Sequence, residues 1–308
     1  MSSFILLHMN SNKRIFVHIA SYRDPELQNT VDTLMKNADK PQNISVGICQ
    51  QTTPDNFLKF PYENIKYLNL NHLDSKGACW ARYLAGTLYD NEEYFLQIDS
   101  HIIMVEHWDT LLIEQVEMAT KLTTNKCIFA MYPAAYEIEN GVRVPGFPGL
   151  GTTKIHEPIL DIPVGIAGPA TNSVVPTFCT FLNAGFMFGH GSFYLDCPYD
   201  PEIYFIGEEI LNTIRAYTHG YDLFNPAVFL CWHLYKHHHD TNAKNWNVHW
   251  NEEDEKNRHI KYGFFADRGA EKTRKLIRDE IPGYFGTKRS LQDFEKYIGF
   301  SLTKKDTP

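Results

Sequence analysis

The sequence lacks an excess of positive charge, a long apolar run, paired cysteines and a His-Glu-x-x-His helix, and each absence removes a class of function. With 29 Lys+Arg against 37 Asp+Glu and a formal net charge of −8, it has no basic surplus of the kind that binds nucleic acid. An anionic small ligand is not excluded, because a bound cation inverts the local field. The apolar stretch near the start, Phe4 to Leu7, is too short for a secretory signal, and no segment approaches the roughly 18 uninterrupted apolar residues that cross a bilayer. The expectation is a soluble chain without a membrane anchor. The six cysteines (Cys49, Cys79, Cys127, Cys179, Cys197, Cys231) are scattered, form no C-x-x-C pair and sit mostly in apolar runs. They read as buried free thiols, which fit a reducing, cytoplasmic compartment. Without His-Glu-x-x-His, a zinc hydrolase built on His233 and the His237–His239 run has little to stand on. Repeats, low-complexity tracts and linkers are also missing, so residues 1–308 are expected to form one domain.

What is present is an alternation of elements. Arg14–Ala20 is apolar and β-branched and reads as a buried strand; Asp24-Pro25 then opens a helix, with the acid as N-cap and proline at the first helical position. Further strands are expected at Ile44–Cys49, Ile65–Leu70, Tyr94–Ile98 and Cys127–Met131, with helices at Asp74–Tyr89 and Trp108–Leu122. Strands alternating with helices predict an α/β fold with a mostly parallel, doubly wound central sheet. From about 132 to 177 periodicity fails, and proline and glycine predict a long functional loop. Order resumes with a strand at Phe178–Phe188, a helix at Gly207–His219, a strand at Leu223–Trp232 and a last helix capped by Ser290.

The chemistry concentrates at three places. Strand Leu96-Gln97-Ile98 runs directly into Asp99-Ser100-His101, and ligands bind beyond the carboxyl ends of strands in such sheets. A carboxylate and an imidazole two residues apart suit Mn2+ or a similar divalent ion; a strand end capped by Asp99, with His101 merely exposed, is the plainer alternative. Gly207-Glu208-Glu209 opens a helix, where the dipole alone favours acids, yet the apolar residues upstream place at least one glutamate at a partly buried edge. His233 ends an apolar run, and His237–Asp240 reads as a metal cluster or as a solvated loop.

These residues carry a resemblance. Ile19-Ala20-Ser21-Tyr22-Arg23-Asp24-Pro25, Ala78-Cys79-Trp80-Ala81-Arg82-Tyr83-Leu84, Gln97 to His101, Gly207 to Leu211 and Thr218 to Asp222 resemble, in order, the cytoplasmic polypeptide α-N-acetylglucosaminyltransferases that modify hydroxyproline. Asp99-Ser100-His101 with a later histidine is also similar, more distantly, to the mucin-type polypeptide GalNAc-transferases. Ile102-Ile103-Met104 departs from the aromatic that family members often carry after the motif. The resemblance implies a GT-A-like fold, with a nucleotide-binding half near 14–132 and an acceptor-binding half near 133–308.

It also implies a role for each residue. Asp99, His101 and His233 hold Mn2+ or Mg2+; Ser21, Tyr22, Arg23, Arg82, Asp99, Ser100, Asn183, Ala184 and Gly185 line the nucleotide-sugar; Glu208 and Glu209 serve catalysis. The expected reaction moves a sugar, GlcNAc by resemblance, from a UDP-sugar to a hydroxyl of a protein or glycan acceptor with retention. The rivals are a glycoside hydrolase using Asp99 and Glu208, and a non-catalytic sugar-binding protein of the same fold. For Arg23 a surface ion pair, for Arg82 a helix–core ion pair and for 183–185 a strand bulge are the competing structural roles.

Overall fold

The computed structural model describes residues 14–159, 162–169, 171–235 and 248–302. The first part of the chain contributes Ile15–Tyr22 (β1), Leu27–Lys36 (α1), Ile44–Thr52 (β2), Ile65–Asn71 (β3), Ala78–Gly86 (α2), Tyr94–Asp99 (β4), Ile102–Met104 (β5), Trp108–Ala119 (α3) and Cys127–Ala130 (β6). Then come Ala134–Glu139 (β7), Val142–Pro145 (β8), Thr153–Ile159 (β9), Ile162–Ala167 (β10), Thr177–Phe178 (β11), Phe186–His190 (β12), Phe193–Asp196 (α4) and Glu208–Thr218 (α5). Asp222–Asn225 (β13), Cys231–Leu234 (β14), Glu252–Asn257 (α6), Tyr262–Asp279 (α7) and Leu291–Ile298 (α8) complete the order.

The central sheet has eight strands in the order β11-β13-β6-β12-β4-β1-β2-β3. Strands β3, β2, β1 and β4 pair in parallel, β12 lies antiparallel between β4 and β6, and β13 continues parallel to β6. The continuous apolar runs arise because both faces are covered. In β1, Ile15, Val17 and Ile19 face a core built with Leu27, Val31 and Leu34 of α1 and Trp108, Leu112 and Val116 of α3. Phe16 faces the other way, with Phe95 and Met187, into a core shared with Ile210, Leu211 and Ile214 of α5, Leu276 of α7 and Phe294 of α8. All six cysteines are buried and free, as expected. Ser290 and Asp293 form a reciprocal capping box at the start of α8, the cap predicted for that helix.

Several boundaries differ from expectation. Helix α1 starts at Leu27 with Glu26 at its cap, and Asp24 accepts from the Glu26 amide at 2.9 Å instead of capping as the sequence suggested. The segment expected to be one loop holds two antiparallel hairpins, β7–β8 and β9–β10. The turn between β7 and β8 is Asn140-Gly141, with φ of +50° and +79°, the backbone that an Asn-Gly hairpin turn requires. Its strands are largely exposed, so no apolar period announced them. The run Leu223–Trp232 is two strands in different sheets, interrupted at Pro226, and Phe178–Phe188 contains only the ends of β11 and the start of β12.

A second sheet, in the order β5-β14-β7-β8, positions the site. Strand β5 follows β4 after a two-residue turn, and β14 pairs with it antiparallel, setting His233 opposite Ile102. The Leu234 amide donates to the His101 carbonyl at 3.1 Å. A histidine more than a hundred residues downstream is thereby carried to the carboxyl end of β4.

Candidate active site

Asp99, His101 and His233 each offer one ligand atom, and the three atoms lie within 4.8 Å of one another. The two imidazole centroids are 4.5 Å apart, and His233 Nε2 lies 3.1 Å from Asp99 Oδ2. His233 Nδ1 is buried with no hydrogen-bond partner among the described residues. His101 Nδ1 is paired with Asp24 Oδ2 at 2.7 Å. A carboxylate and two imidazoles, one of them backed by a second carboxylate, are a donor set that suits a divalent first-row ion. The residues present therefore fit a metal. His237–His239 lie outside the described residues.

The electrostatics agree. Burial alone raises the Asp99 carboxyl, but the His233 hydrogen bond and the Arg82 charge outweigh it and hold the group well below the usual carboxylate range. Burial lowers His233, reinforced by His101 and only partly offset by Asp99, so its imidazole is kept neutral as a ligand requires.

Arg82 organises the surroundings. The residue is only 5% exposed. Its guanidinium donates to Asp99 Oδ1 at 2.7 Å and to the Ala184 carbonyl at 2.9 Å, and its Nε lies 3.1 Å from Glu208 Oε1. Glu208 is buried and also accepts from the Tyr199 hydroxyl at 2.7 Å. Asp99 and Glu208 are thus bridged by a single cation. The paired-carboxylate hydrolase needs one of them as a proton-donating acid, a part that Asp99, held ionised, does not take.

The loop before β12 is stitched to the same network. Gly185 N donates to Asn183 Oδ1 at 2.9 Å, Asp99 N donates to the Gly185 carbonyl at 3.3 Å, and the Gln97 amide donates to the Ala184 carbonyl at 2.7 Å. A Cβ on Gly185 would fall 3.1 Å from Asp99 Oδ2 and 3.0 Å from Asn183 Oδ1, so glycine here admits the carboxylate itself. Glu209 Oε1 accepts from the Ala184 amide at 2.9 Å. Burial, with the neighbouring Glu208 charge and against that amide, pushes the Glu209 carboxyl up to about 8.

Ten of the sequence-nominated residues therefore converge: Arg82, Asp99, Ser100, His101, Asn183, Ala184, Gly185, Glu208, Glu209 and His233. Ser21 and Tyr22 end β1 beside them and Arg23 follows, since Ala20 is in register with Asp99. The Tyr22 hydroxyl donates to Asp254 Oδ2 and Arg23 pairs with Asp254 Oδ1, each at 2.6 Å. Sequence reasoning missed Asp254, Tyr199 and the inward role of Asp24; only Asp24 carried a local signal, its place in the block that follows β1.

The sequence profile of a family described as Glycosyltransferase (GlcNAc) matches residues 14–58 and 54–304. The chain belongs to this GlcNAc glycosyltransferase family. A solved structure of GalNAc-T7 with UDP, GalNAc and Mn2+ is similar at 15% identity and a TM-score of 0.58, covering 94% of this chain and 55% of that one. The chain thus spans little more than half of that relative, and the likeness speaks to the fold, which is GT-A. Residues 1–349 of S. aureus TarS are similar at 13% identity and a TM-score of 0.46, over 93% of this chain and 78% of that one. The same TarS fragment with UDP-GlcNAc gives 15% identity and a TM-score of 0.43 over 93% and 79%. A search of curated proteins gives no match. Among the described residues no helix is long and apolar enough to cross a membrane.

The raised Glu209 carboxyl makes the stability of the protein depend on pH. A carboxyl whose folded pKa lies above its unfolded value contributes stability that is full below the unfolded pKa, about 4.3, and is lost as pH rises toward about 8. Glu209→Gln removes that loss. Urea unfolding of metal-free protein should show the variant gaining on the parent from about pH 5 to 8, with the difference flat above. A constant difference across that range would show that Glu209 is not protonated in the folded state.

Proposed function

We propose that this glycosyltransferase transfers GlcNAc from UDP-GlcNAc to a hydroxyl of a protein or glycan, with retention, in the cytoplasm. The observation that carries the reading is the Asp99–His101–His233 cluster at the carboxyl end of β4, within a chain of the GlcNAc family. The GalNAc-T7 structure holds UDP, GalNAc and Mn2+ in the same fold, which supports a UDP-sugar donor and Mn2+ as the ion, with Mg2+ as its substitute. Six buried free thiols support a reducing compartment. The motif blocks of the hydroxyproline-modifying enzymes point to a protein acceptor of that kind.

Asp99, His101 and His233 would hold the cation, which when bound neutralises, as a Lewis acid, the charge that develops on a departing diphosphate. The chain's own residues do the rest. Arg82 and Glu208 fix the Asp99 carboxylate, and the 183–185 loop brings backbone close to the donor sugar. Glu209 has one oxygen on the Ala184 amide and, with its carboxyl protonated below about pH 8, offers both a donor and an acceptor to sugar hydroxyls. Ser21, Tyr22, Arg23 and Ser100 flank the nucleotide side. The bond from the anomeric carbon to the diphosphate oxygen breaks, a bond to the acceptor oxygen forms on the same face, and the acceptor proton passes to the departing diphosphate.

The test is UDP release from a panel of UDP-sugars with Mn2+, with and without EDTA, because donor hydrolysis needs no acceptor. Release from UDP-GlcNAc above UDP-galactose and UDP-glucose, abolished by EDTA, is the expected result. If calorimetry shows that UDP does not bind even with Mn2+, the reading is wrong. Tight binding of UDP-sugar with no consumption in the presence of any acceptor would mark a sugar-binding protein.

A further inference from the structure

We infer that Asp24, on the turn between β1 and α1, is the positioning residue of the metal centre. The inference rests on the reading of Asp99, His101 and His233 as metal ligands. Asp24 is almost wholly buried, its side chain 7% exposed, and its carboxylate makes three hydrogen bonds that no cap accounts for together. Oδ1 accepts from the Glu26 amide at 2.9 Å; Oδ2 accepts from the Ser100 hydroxyl at 2.6 Å and meets His101 Nδ1 at 2.7 Å. Thr30, one turn into α1, adds a bond from its hydroxyl to the Ser100 carbonyl at 2.8 Å and accepts from the Ile102 amide at 3.0 Å. The Asp99-Ser100-His101 turn is therefore clamped from the β1–α1 side at both flanks of His101.

The chemistry of the Oδ2 contact fixes the histidine. An ionised carboxylate only accepts, so Nδ1 must carry the proton, and in the neutral ring the lone pair then lies on Nε2. That is the tautomer in which His101 presents a ligand atom on the side away from Asp24. The turn that anchors Asp24 to the Glu26 amide also sets the ring's rotation. Asp24 thus prepays the ordering of one of the three ligands, as carboxylates behind metal-bound histidines do.

A carboxamide cannot replace it. In Asp24→Asn, either the amide nitrogen faces His101, donating to Nδ1 and moving the ring proton to Nε2, or it faces the Glu26 N–H, donor against donor. Both arrangements damage the site while conserving volume, which separates positioning from packing.

Mn2+ binding followed by electron paramagnetic resonance of the free ion, with UDP present, should give an affinity about 10- to 100-fold weaker for Asp24→Asn and Asp24→Ala than for the parent. In metal-free parent protein, two-bond ¹⁵N correlation of the histidine side chains should show His101 protonated at Nδ1, a measurement that needs no variant to fold. Equal Mn2+ affinity in parent and Asp24→Asn, or a neutral His101 in the parent with its proton on Nε2, overturns the inference. If the parent itself binds no Mn2+ with UDP, the metal reading falls and this inference falls with it; intact binding in the parent with intact binding in the variants removes the inference alone.

Discussion

Asp99→Ala and His233→Ala should each reduce metal-dependent release of UDP by about 10³-fold or more, and only Asp99→Ala should also unfold markedly more easily. The loss of activity follows from the Lewis acid: several kcal/mol of charge stabilisation converts to rate at about 1.4 kcal/mol per tenfold. The effects on stability separate because the two residues are held differently. Asp99 is one of two carboxylates that balance the buried Arg82 guanidinium. Removing it leaves that cation short of a partner, a loss of about 1–3 kcal/mol. Among the described residues His233 makes its side-chain hydrogen bond to Asp99, and its other nitrogen has no partner. Truncating it takes away no compensated charge, and Asp99 keeps Arg82. The measurement pairs UDP release, with and without EDTA, with a thermal melt of each variant. Metal-dependent release at the parental rate in His233→Ala would remove that histidine from the site.

The strands were legible because β1, β4 and β6 are buried on both faces and so are apolar at nearly every position, a pattern that survives without homologues. The Asp99-Ser100-His101 turn was legible as a candidate site for the same reason: a run that stays apolar to Ile98 must change character where it leaves the core. The hairpins in 134–167 were not, since β8 is exposed along its whole length and has no buried face to impose a period. The Asn140-Gly141 pair was the signal that sequence reading passed over. Leu223–Trp232 read as one strand because apolar composition does not say which sheet a residue joins; Pro226, lacking an amide hydrogen, marks the switch. Asp24 was read through local propensity as a helix cap, whereas its second oxygen answers to Ser100 and His101, about 76 residues on. No spacing rule links them. The engagement of Tyr22 and Arg23 with Asp254 is likewise a contact across more than 230 positions.

The Arg82 guanidinium is where fold and site meet, and Arg82→Ala should cost about 3–5 kcal/mol, the usual penalty for breaking a buried ion pair from one side. At about 2–4 °C per kcal/mol for a chain of this size class, the melting temperature should fall by roughly 10 °C. The loss comes from what is left behind: Asp99 and Glu208 face each other without a cation, and the Ala184 carbonyl loses one of its two donors. Arg82→Lys should recover little, because one ammonium cannot span three acceptors that the planar fork reaches together. If uncompensated negative charge causes most of the loss, neutralising a partner should repair it. Arg82→Met combined with Glu208→Gln should then be more stable than Arg82→Met alone, with the Tyr199 hydroxyl still bonded to the new amide oxygen. A double-mutant cycle measured by urea unfolding gives that coupling directly, and about 1–3 kcal/mol is expected for groups in contact. Additive losses, or an Arg82→Ala protein within about 1 kcal/mol of the parent, would mean that solvent reaches Asp99 and Glu208 and that the ion pair does not set the geometry of the ligand cluster.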